Sequence, residues 1–434
     1  MSILPPDHAD RVALAQEVHA RPPEPLASPA RATYVAVLVE PADRGREADH
    51  LAELCALFSV APPRPGATHF RVDLGPLRLK WERHGEFSGY TFFSPGLSPA
   101  PFSEPPATRL PPGWLAALPG RTLVAAHAKV ISAVAADPSP QFLAGHFDGN
   151  IVVGAEVGDG AGLAFTDFRI HADGFSRFLL VDRSFTPRQN GRMLQRLFEI
   201  EVYRMTALLA LPIARKQSAT LADIERALAA LTADIAAEGG NEEALLHALT
   251  RLAADVESEL ARSRFRFGAC RAYFELVTTR IGELRERRIN GIQTVEEFMA
   301  RRLTPAVQTC ATVSQRLHDL SERVAQASAL LSTRVDIARE RQNQRLLASM
   351  DRRARLQLRL QQTVEGLSVA AIVYYAAGLV GYLAKGLKAG GVKVEPDLVI
   401  GVAIPIVAVA VLMSVRRARR RIHEAERDAP TPYD

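Results

Sequence analysis

Two runs of uncharged, mostly apolar residues near the C-terminal end place the strongest constraint on how this chain can fold. Residues 366–384 and residues 398–415 contain no Asp, Glu, Lys or Arg. A helix needs about 20 apolar residues to cross the hydrocarbon core of a bilayer. A buried core helix of a soluble protein is the alternative, but two such runs in tandem are rare in soluble chains. We therefore predict a transmembrane helical hairpin at residues 364–415, with the lipid bilayer as its partner.

Positive charges beside the two runs predict their orientation. Arginines precede the first run and follow the second: Arg352, Arg353, Arg355, Arg359, Arg416, Arg417, Arg419, Arg420 and Arg421. The connecting residues 385–397 hold three lysines, partly balanced by Glu395 and Asp397. Because positively charged flanks stay in the cytoplasm, we expect both termini on the cytoplasmic side, the C-terminal one as a basic tail at residues 416–434.

The overall charge and the cysteines argue against several classes of site. The net charge is +5 and much of the excess lies beside the apolar runs, so it indicates membrane topology rather than a nucleic-acid partner. Cys55, Cys270 and Cys310 are far apart, which predicts neither a disulfide framework nor a zinc site. The first ten residues lack the charged and apolar regions of a cleaved signal peptide.

Residues 187–363 have the composition and periodicity of a stalk of long antiparallel helices. One stretch keeps a strict spacing of three and four: Cys310, Val313, Leu317, Leu320, Val324, Ala327 and Leu331. An a/d seam of this kind is typical of a coiled coil. We therefore expect the chain to form a homo-oligomer through this stalk.

Short signals predict where three helices of the stalk begin, bend and end. Asn290, with the glycine after it, predicts the end of the second helix. Thr294 and Glu297 have the spacing of a capping box that begins the third helix. Pro212 and Pro305 predict a kink or an interruption in the first and third helices.

Residues 1–186 have the alternating pattern of a sheet domain. Short apolar runs bounded by turn signals predict strands, and residues 46–58 have helical spacing. The predicted strands are residues 33–39, 68–73, 77–83, 89–93, 121–133, 151–157, 163–170 and 178–182. The fold class is therefore α+β: an N-terminal mixed or antiparallel sheet domain, a long antiparallel, coiled-coil-like helical stalk and a C-terminal two-helix transmembrane hairpin.

Three polar clusters are the candidate functional site. They comprise Glu17, His19 and Arg21; Glu82, Arg83 and His84; and Asp167, Arg169, His171 and Asp173. On a strand the members of the third cluster share one face, because side chains alternate. Such a face could bind a metal or an anion, or move protons. The alternative is a solvent-facing side of an antiparallel strand, with Phe168 and Ile170 in the core.

No known catalytic or cofactor motif accompanies these clusters. Glycine-rich residues 158–162 predict a hairpin turn, since they do not open a helix within a βαβ unit as a dinucleotide site would require. Neither a phosphate-binding GxxxxGK[ST] loop nor a GxSxG nucleophile motif occurs. We therefore predict no cofactor and no metal, and the catalytic residues, if there are any, stay unknown.

Several stretches resemble a known family. They read EVHARPPEPL at 17–26, LKWERHGEFSGYTFF at 79–93, FTDFRIHADGFSRFLL at 165–180 and QQTVEGLSVAAIVYYAAGLVGYL at 361–383. In these stretches the chain is similar to the DUF3422 family of proteobacterial membrane-anchored proteins of unknown function. The resemblance implies a location in the bacterial inner membrane and implies no activity.

Three functions remain open. The first is a membrane-anchored cytosolic scaffold or sensor that self-associates through its stalk. The second is an oligomeric channel or transporter with the layout of CorA-type cation channels, although the Gly-Met-Asn tripeptide of that family is absent and residues 384–388 read AKGLK. The third is a membrane-tethered enzyme or ligand-binding module that uses Asp167, Arg169, His171 and Asp173.

Overall fold

The chain forms two compact units, Met1–Ala329 and Leu330–Asp434. In this computed structural model the described residues are 5, 7–17, 22–133, 138–237, 241–391, 393 and 395–427. The division at residue 329 differs from the boundaries predicted at residues 186 and 363, because the helices that follow residue 186 share an apolar core with the sheet.

One mixed sheet is the framework of the first unit. The described residues contribute nine strands to it: β1 Ala30–Leu38, β2 His69–Asp73, β3 Arg78–Arg83, β4 Phe87–Pro95, β5 Arg121–Ser132, β6 Val153–Val157, β7 Gly162–Thr166, β8 Ser176–Asp182 and β9 Arg287–Arg288. Their order is β2-β3-β4-β1-β5-β8-β7-β6-β9. Neighbouring strands are antiparallel except β5 and β8, which run parallel. The predicted α+β class with a mixed sheet is confirmed.

Helices make up most of the rest of the described chain. They are α1 Arg11–Glu17, α2 Arg44–Leu57, α3 Pro140–His146, α4 Pro187–Leu208, α5 Leu211–Ala236, α6 Glu242–Leu284, α7 Val295–Ala389 and α8 Pro396–Arg427. Helix α4 begins with a capping box, in which Thr186 and Gln189 bond each other's backbone amides, and with Pro187 in its first turn. Gly191 is required there, because a Cβ at this position would lie 1.7 Å from the carbonyl oxygen of Glu24.

Each face of the sheet is covered by its own apolar core. On one face Ala32, Ala126 and Leu180 pack with residues of α4, α6 and the first turns of α7. The opposite face carries two separate clusters, one around Leu51 of α2 and one around Phe147 after α3. Strands that are buried on both sides have continuous apolar sequences rather than alternating ones. This explains why the sequence predicts strands at the positions of β1 and β5.

Two of the predicted helix signals, at Pro212 and Thr294, are confirmed, and the predicted end of the second helix at Asn290 is wrong. The chain breaks between Leu208 and Leu211, just before Pro212, and the Thr294 hydroxyl caps α7 at 3.1 Å from the amide of Glu297. Helix α6 ends at Leu284 rather than at Asn290, because Arg285 is left-handed at φ 54° and the next residues pair with β6 as β9. Helix α7 continues through Pro305 without interruption.

The heptad seam is filled from within the chain. The seam residues Cys310 to Ala327 are all buried. On the same stretch of α7, Arg316 pairs with Glu225 of α5 at 2.9 Å and Ser321 bonds Glu257 of α6 at 3.0 Å. The seam residues up to Ala327 therefore pack against α5 and α6 of their own chain.

In the second unit, α7 and α8 carry the two charge-free runs. Both helices are long and apolar enough to cross a membrane. Only 17% of the apolar window of α7 and none of that of α8 is buried, whereas a core helix of a soluble protein would be mostly buried. The two helices approach closely at Gly381, where an added Cβ would lie 2.9 Å from the side chain of Ile400.

We predict that Leu317→Ala destabilises the first unit by about 2–4 kcal/mol, because it leaves a cavity in a filled seam. Leu57→Ala, at a side chain of α2 in the same unit that is 66% exposed, should cost under about 0.5 kcal/mol. Thermal unfolding of both variants at low and high protein concentration measures this. A Leu317→Ala effect that grew with concentration would indicate that a second chain fills the seam instead.

Candidate functional site

The third predicted cluster lies on a loop and not on a strand. Strand β7 ends at Thr166, and the residues up to β8 are irregular. Phe168 has φ +51°, a left-handed conformation that ends an extended strand. The Asp167 carboxylate accepts a bond from the Arg169 amide at 3.2 Å, an Asx-type turn. The prediction of one shared strand face is therefore wrong, and Ile170 is 71% exposed instead of lying in the core.

The loop nevertheless brings two of the four residues together. The buried His171 lies 2.9 Å from the buried Asp167 through Nε2 and 2.9 Å from Asp148 through Nδ1. Asn150 donates to the same Asp167 oxygen at 2.9 Å, and Arg177 donates to Asp148 at 2.9 Å. Hydrogen bonds from His171 and Arg177 lower the pKa of Asp148. Asp148 was not predicted, because it lies on a different loop.

The contacts among Asp167, His171 and Asp148 stabilise the loop and leave few groups available to bind a substrate. Both ring nitrogens of His171 already face carboxylates, and the Nε2 contact with Asp167 is close but not aligned as a hydrogen bond. A general base needs one nitrogen within reach of the proton it takes. Among the described residues no group of three His, Cys, Asp or Glu side chains is arranged to hold a metal ion. The geometry therefore favours a structural role for Asp167 and His171.

The other two residues of the cluster lie apart. Asp173 is exposed and its carboxylate accepts from the Phe175 amide at 3.0 Å, which closes the turn before β8. Arg169 lines a cleft of about 1050 Å³, part of it open solvent. The cleft lies between the loop, the last turns of α4 and the first turns of α7, and is lined by Ile151, Val153, Asp167, Phe168, Arg169, Arg204, Leu208, Gln293, Phe298, Met299, Arg302 and Leu303.

Charge and shape make this cleft suitable for an organic anion. Arg169 and Arg302 are exposed, and neither guanidinium pairs with a carboxylate among the described residues. The guanidinium of Arg204, which is paired with Glu201 at 2.7 Å, lies 5.3 Å from the ring of Phe168. Phe168 stacks on Phe298 at 4.9 Å. Two uncompensated cations beside an aromatic wall can bind a carboxylate or phosphate that carries an apolar body.

The second predicted cluster is divided between the two faces of the sheet. Glu82 pairs with Lys80 at 3.0 Å, and both line a polar pocket against α4 with His84. Arg83 points to the other face, where it lies 3.8 Å from the fully buried Glu47. Alternation along β3 produces this division, so these three residues do not form one site.

The described clusters do not converge. Five strand-to-strand steps separate β3 from β7 in the sheet, a distance of about 24 Å at the usual strand spacing. Of the first predicted cluster, Glu17 is the last residue of α1, and His19 and Arg21 lie outside the described residues.

Glu47 is a buried carboxylate that the sequence reading missed. It accepts bonds from the Trp81 indole at 3.1 Å and the Tyr90 hydroxyl at 2.9 Å, and Arg44 lies 3.3 Å away. The signal was present, because Glu47 precedes Leu51 by four residues and therefore lies on the apolar face of α2. A fully paired carboxylate between sheet and helix fixes the position of α2.

We predict that Asp167→Ala costs about 2–4 kcal/mol of stability, because it removes the buried carboxylate that His171 faces through Nε2 and that the half-buried Asn150 donates to. Asp173→Ala, at an exposed turn of the same loop, should cost under about 1 kcal/mol. Urea unfolding followed by tryptophan fluorescence measures both. Equal costs for the two variants would contradict the structural role of Asp167.

Comparison with known proteins places nearly the whole chain in one family. A family model described as Protein of unknown function (DUF3422) matches residues 6–422, nearly the full length. No curated protein matches the chain, and no solved structure does. The sequence resemblance in residues 17–26, 79–93, 165–180 and 361–383 is thus extended to the intervening segments, and the chain belongs to the DUF3422 family.

Proposed function

We propose that the protein is an integral membrane protein of the bacterial inner membrane whose first unit is a cytosolic sensor of a small organic anion. The observation that carries the membrane part is the exposure of apolar side chains on both charge-free helices. Leu367 and Tyr382 are each more than three-quarters exposed, and Leu398 is largely exposed. Exposing such an apolar surface to water would raise the free energy of the folded protein, whereas contact with lipid would not.

The distribution of arginine supports cytoplasmic flanks. Basic residues at 352–359 precede the first run and basic residues at 416–421 follow the second. In the short connection between the helices, Lys388 pairs with Glu395 at 3.1 Å, which reduces its charge. The positive-inside rule then favours a cytoplasmic first unit and an external connection.

The basic cleft favours a sensor over a passive scaffold. Arg169, Arg204 and Arg302 come from three separate elements, and the loop that presents Arg169 is fixed by the buried contacts of Asp167. A pocket built from converging polar groups and an apolar wall is the usual form of a ligand site. The enzyme alternative is weakened by the enclosed His171, and the channel alternative stays a prediction.

Exposed apolar residues of α7 outside the heptad seam offer a surface for self-association. Leu346 and Leu360 of α7 are 14 residues apart, as are Met350 and Val364, and all four are exposed. A separation of two heptads places each pair at the same helical position. We propose this stripe as the contact with a second copy.

Reporter fusions test the topology. Green fluorescent protein fused after Asp434 should fluoresce, because the proposed C-terminal tail is cytoplasmic. Alkaline phosphatase inserted at Gly391 should be active, because that residue lies in the proposed external connection. The opposite pattern, or a chain that stays in the supernatant without detergent, would overturn the membrane part of the proposal.

Calorimetry with phenyl phosphate tests the sensor part on the purified full chain. We expect the double variant Arg169→Gln, Arg302→Gln to bind at least about tenfold more weakly than wild type, because two charge-assisted contacts are lost. Arg301→Gln, an exposed neighbour outside the cleft, is the matched control and should bind like wild type. Equal binding of uncharged phenol, or equal loss in the control, would contradict an anion site in the cleft.

A further inference from the structure

Two buried cations lie side by side at the centre of the sheet. Arg31 of β1 and Lys129 of β5 are direct partners in the antiparallel register. Directly opposed residues of neighbouring strands project from the same face, with Cβ atoms about 5 Å apart. Arg31 is 6% exposed and Lys129 is 9% exposed. This face therefore holds two positive charges between the two apolar clusters that contain Leu51 and Phe147.

Neither cation lies within ion-pair distance of a carboxylate among the described residues. The exposed Glu104 carboxylate raises the pKa of Arg31, but this effect is smaller than the lowering by burial and by the neighbouring Arg109. The Arg31 guanidinium donates to the carbonyls of Glu104 at 2.7 Å and Pro95 at 3.4 Å, and its Nε is buried without a partner. Lys129 Nζ lies 3.4 Å from His146 Nε2. Burying charges without a counter-charge is costly. Burial and the neighbouring Arg31 accordingly lower the pKa of Lys129.

Lys80 on the other face of the same sheet provides the contrast. Its ammonium is also buried, but it contacts Glu82 at 3.0 Å and Gln195 at 3.0 Å. The fold thus supplies a carboxylate to one buried lysine and not to the other. No described carboxylate lies close enough to pair with Lys129, so a bound anion can supply that counter-charge.

Two histidines, His127 and His146, lie beside Arg31 and Lys129 and provide hydrogen-bonding groups. His127 is buried, stacks on Phe175 at 3.9 Å and contacts the Thr33 hydroxyl at 3.1 Å. Burial lowers the pKa of His127 to about 4, so at neutral pH it adds a polar ring and no charge. His146 bonds the Phe142 carbonyl through Nδ1, which leaves Nε2 as an acceptor for the Lys129 ammonium.

A strained loop closes a small pocket over the pair. The pocket has about 210 Å³ of empty space, part of it solvent, and is lined by Arg31, Ser98, Phe102, Ser103, His127 and Lys129 among others. Phe102 and Glu104 have φ values of +54° and +47°, which non-glycine residues rarely adopt. In this turn the backbone carbonyl of Glu104 lies 2.7 Å from the Arg31 guanidinium.

We propose that Arg31 and Lys129 bind a small free oxyanion, phosphate or sulfate, under the loop of residues 98–106. The unused Nε–H of Arg31 and the remaining ammonium protons of Lys129 are the donors, and the two charges of the anion balance the two cations. The pocket is too small for an ion that carries a large organic body. This site is separate from the cleft at Arg169 and does not depend on the proposed sensor function.

Thermal unfolding of the full-length protein in detergent tests the site. Wild type is compared in sodium phosphate and in sodium chloride of equal ionic strength, with sodium sulfate as a further arm. We expect phosphate or sulfate to raise Tm by about 2 °C or more at tenfold excess over Kd. Lys129→Met should have an unchanged or higher Tm in chloride, because an unpaired buried charge is removed, and should lose the response to the oxyanion.

Lys80→Met is the matched control. It removes a buried lysine that has a carboxylate partner, so its Tm in chloride should fall while the oxyanion response is kept. A wild type that responds equally to chloride and to both oxyanions would overturn the proposal, and so would a Lys129→Met protein that keeps the full response. Because phosphate is applied without phenyl phosphate, failure here leaves the calorimetric test of the cleft unaffected.

Discussion

The apolar face of the mixed sheet has to be covered, and α4, α6 and the beginning of α7 cover it. Residues such as Leu197, Val277 and Leu303 from these three helices share one core with the central strands. This burial joins what the sequence separates into a sheet region and a stalk, because hydrophobic burial is the dominant favourable term in folding. It also explains why residues of the same chain cover the heptad seam. Where α7 extends beyond the sheet, it already lies beside α5 and α6.

Features that depend on neighbouring residues could be predicted from the sequence, and features that depend on strand order could not. Charge-free runs, the Thr294 cap and most strands follow from local periodicity and capping. The end of α6 was missed because Arg287 and Arg288 pair with a strand more than 100 residues earlier. The partner of the heptad seam was missed because a seam pattern does not specify which helix fills it.

The candidate site was predictable only in part, for the same reason. Asp167 and His171 do meet, but through a turn at Phe168 that extended alternation does not anticipate. Asp148, their third partner, comes from another loop. Buried charges elsewhere follow a consistent rule, since Glu47 and Lys80 have partners of opposite charge. Arg31 and Lys129 differ, because neither lies within ion-pair distance of a carboxylate among the described residues, and this difference is the basis of the proposed oxyanion site.

Strand β9, although only two residues long, covers the outer side of β6. An open sheet edge is a template on which another molecule can add a strand and begin aggregation. At this edge the chain places two arginines, and the opposite edge strand β2 contains His69, Arg71 and Asp73. Charged edges disfavour strand addition. The charged side chains at both edges therefore disfavour the addition of a strand from a second molecule.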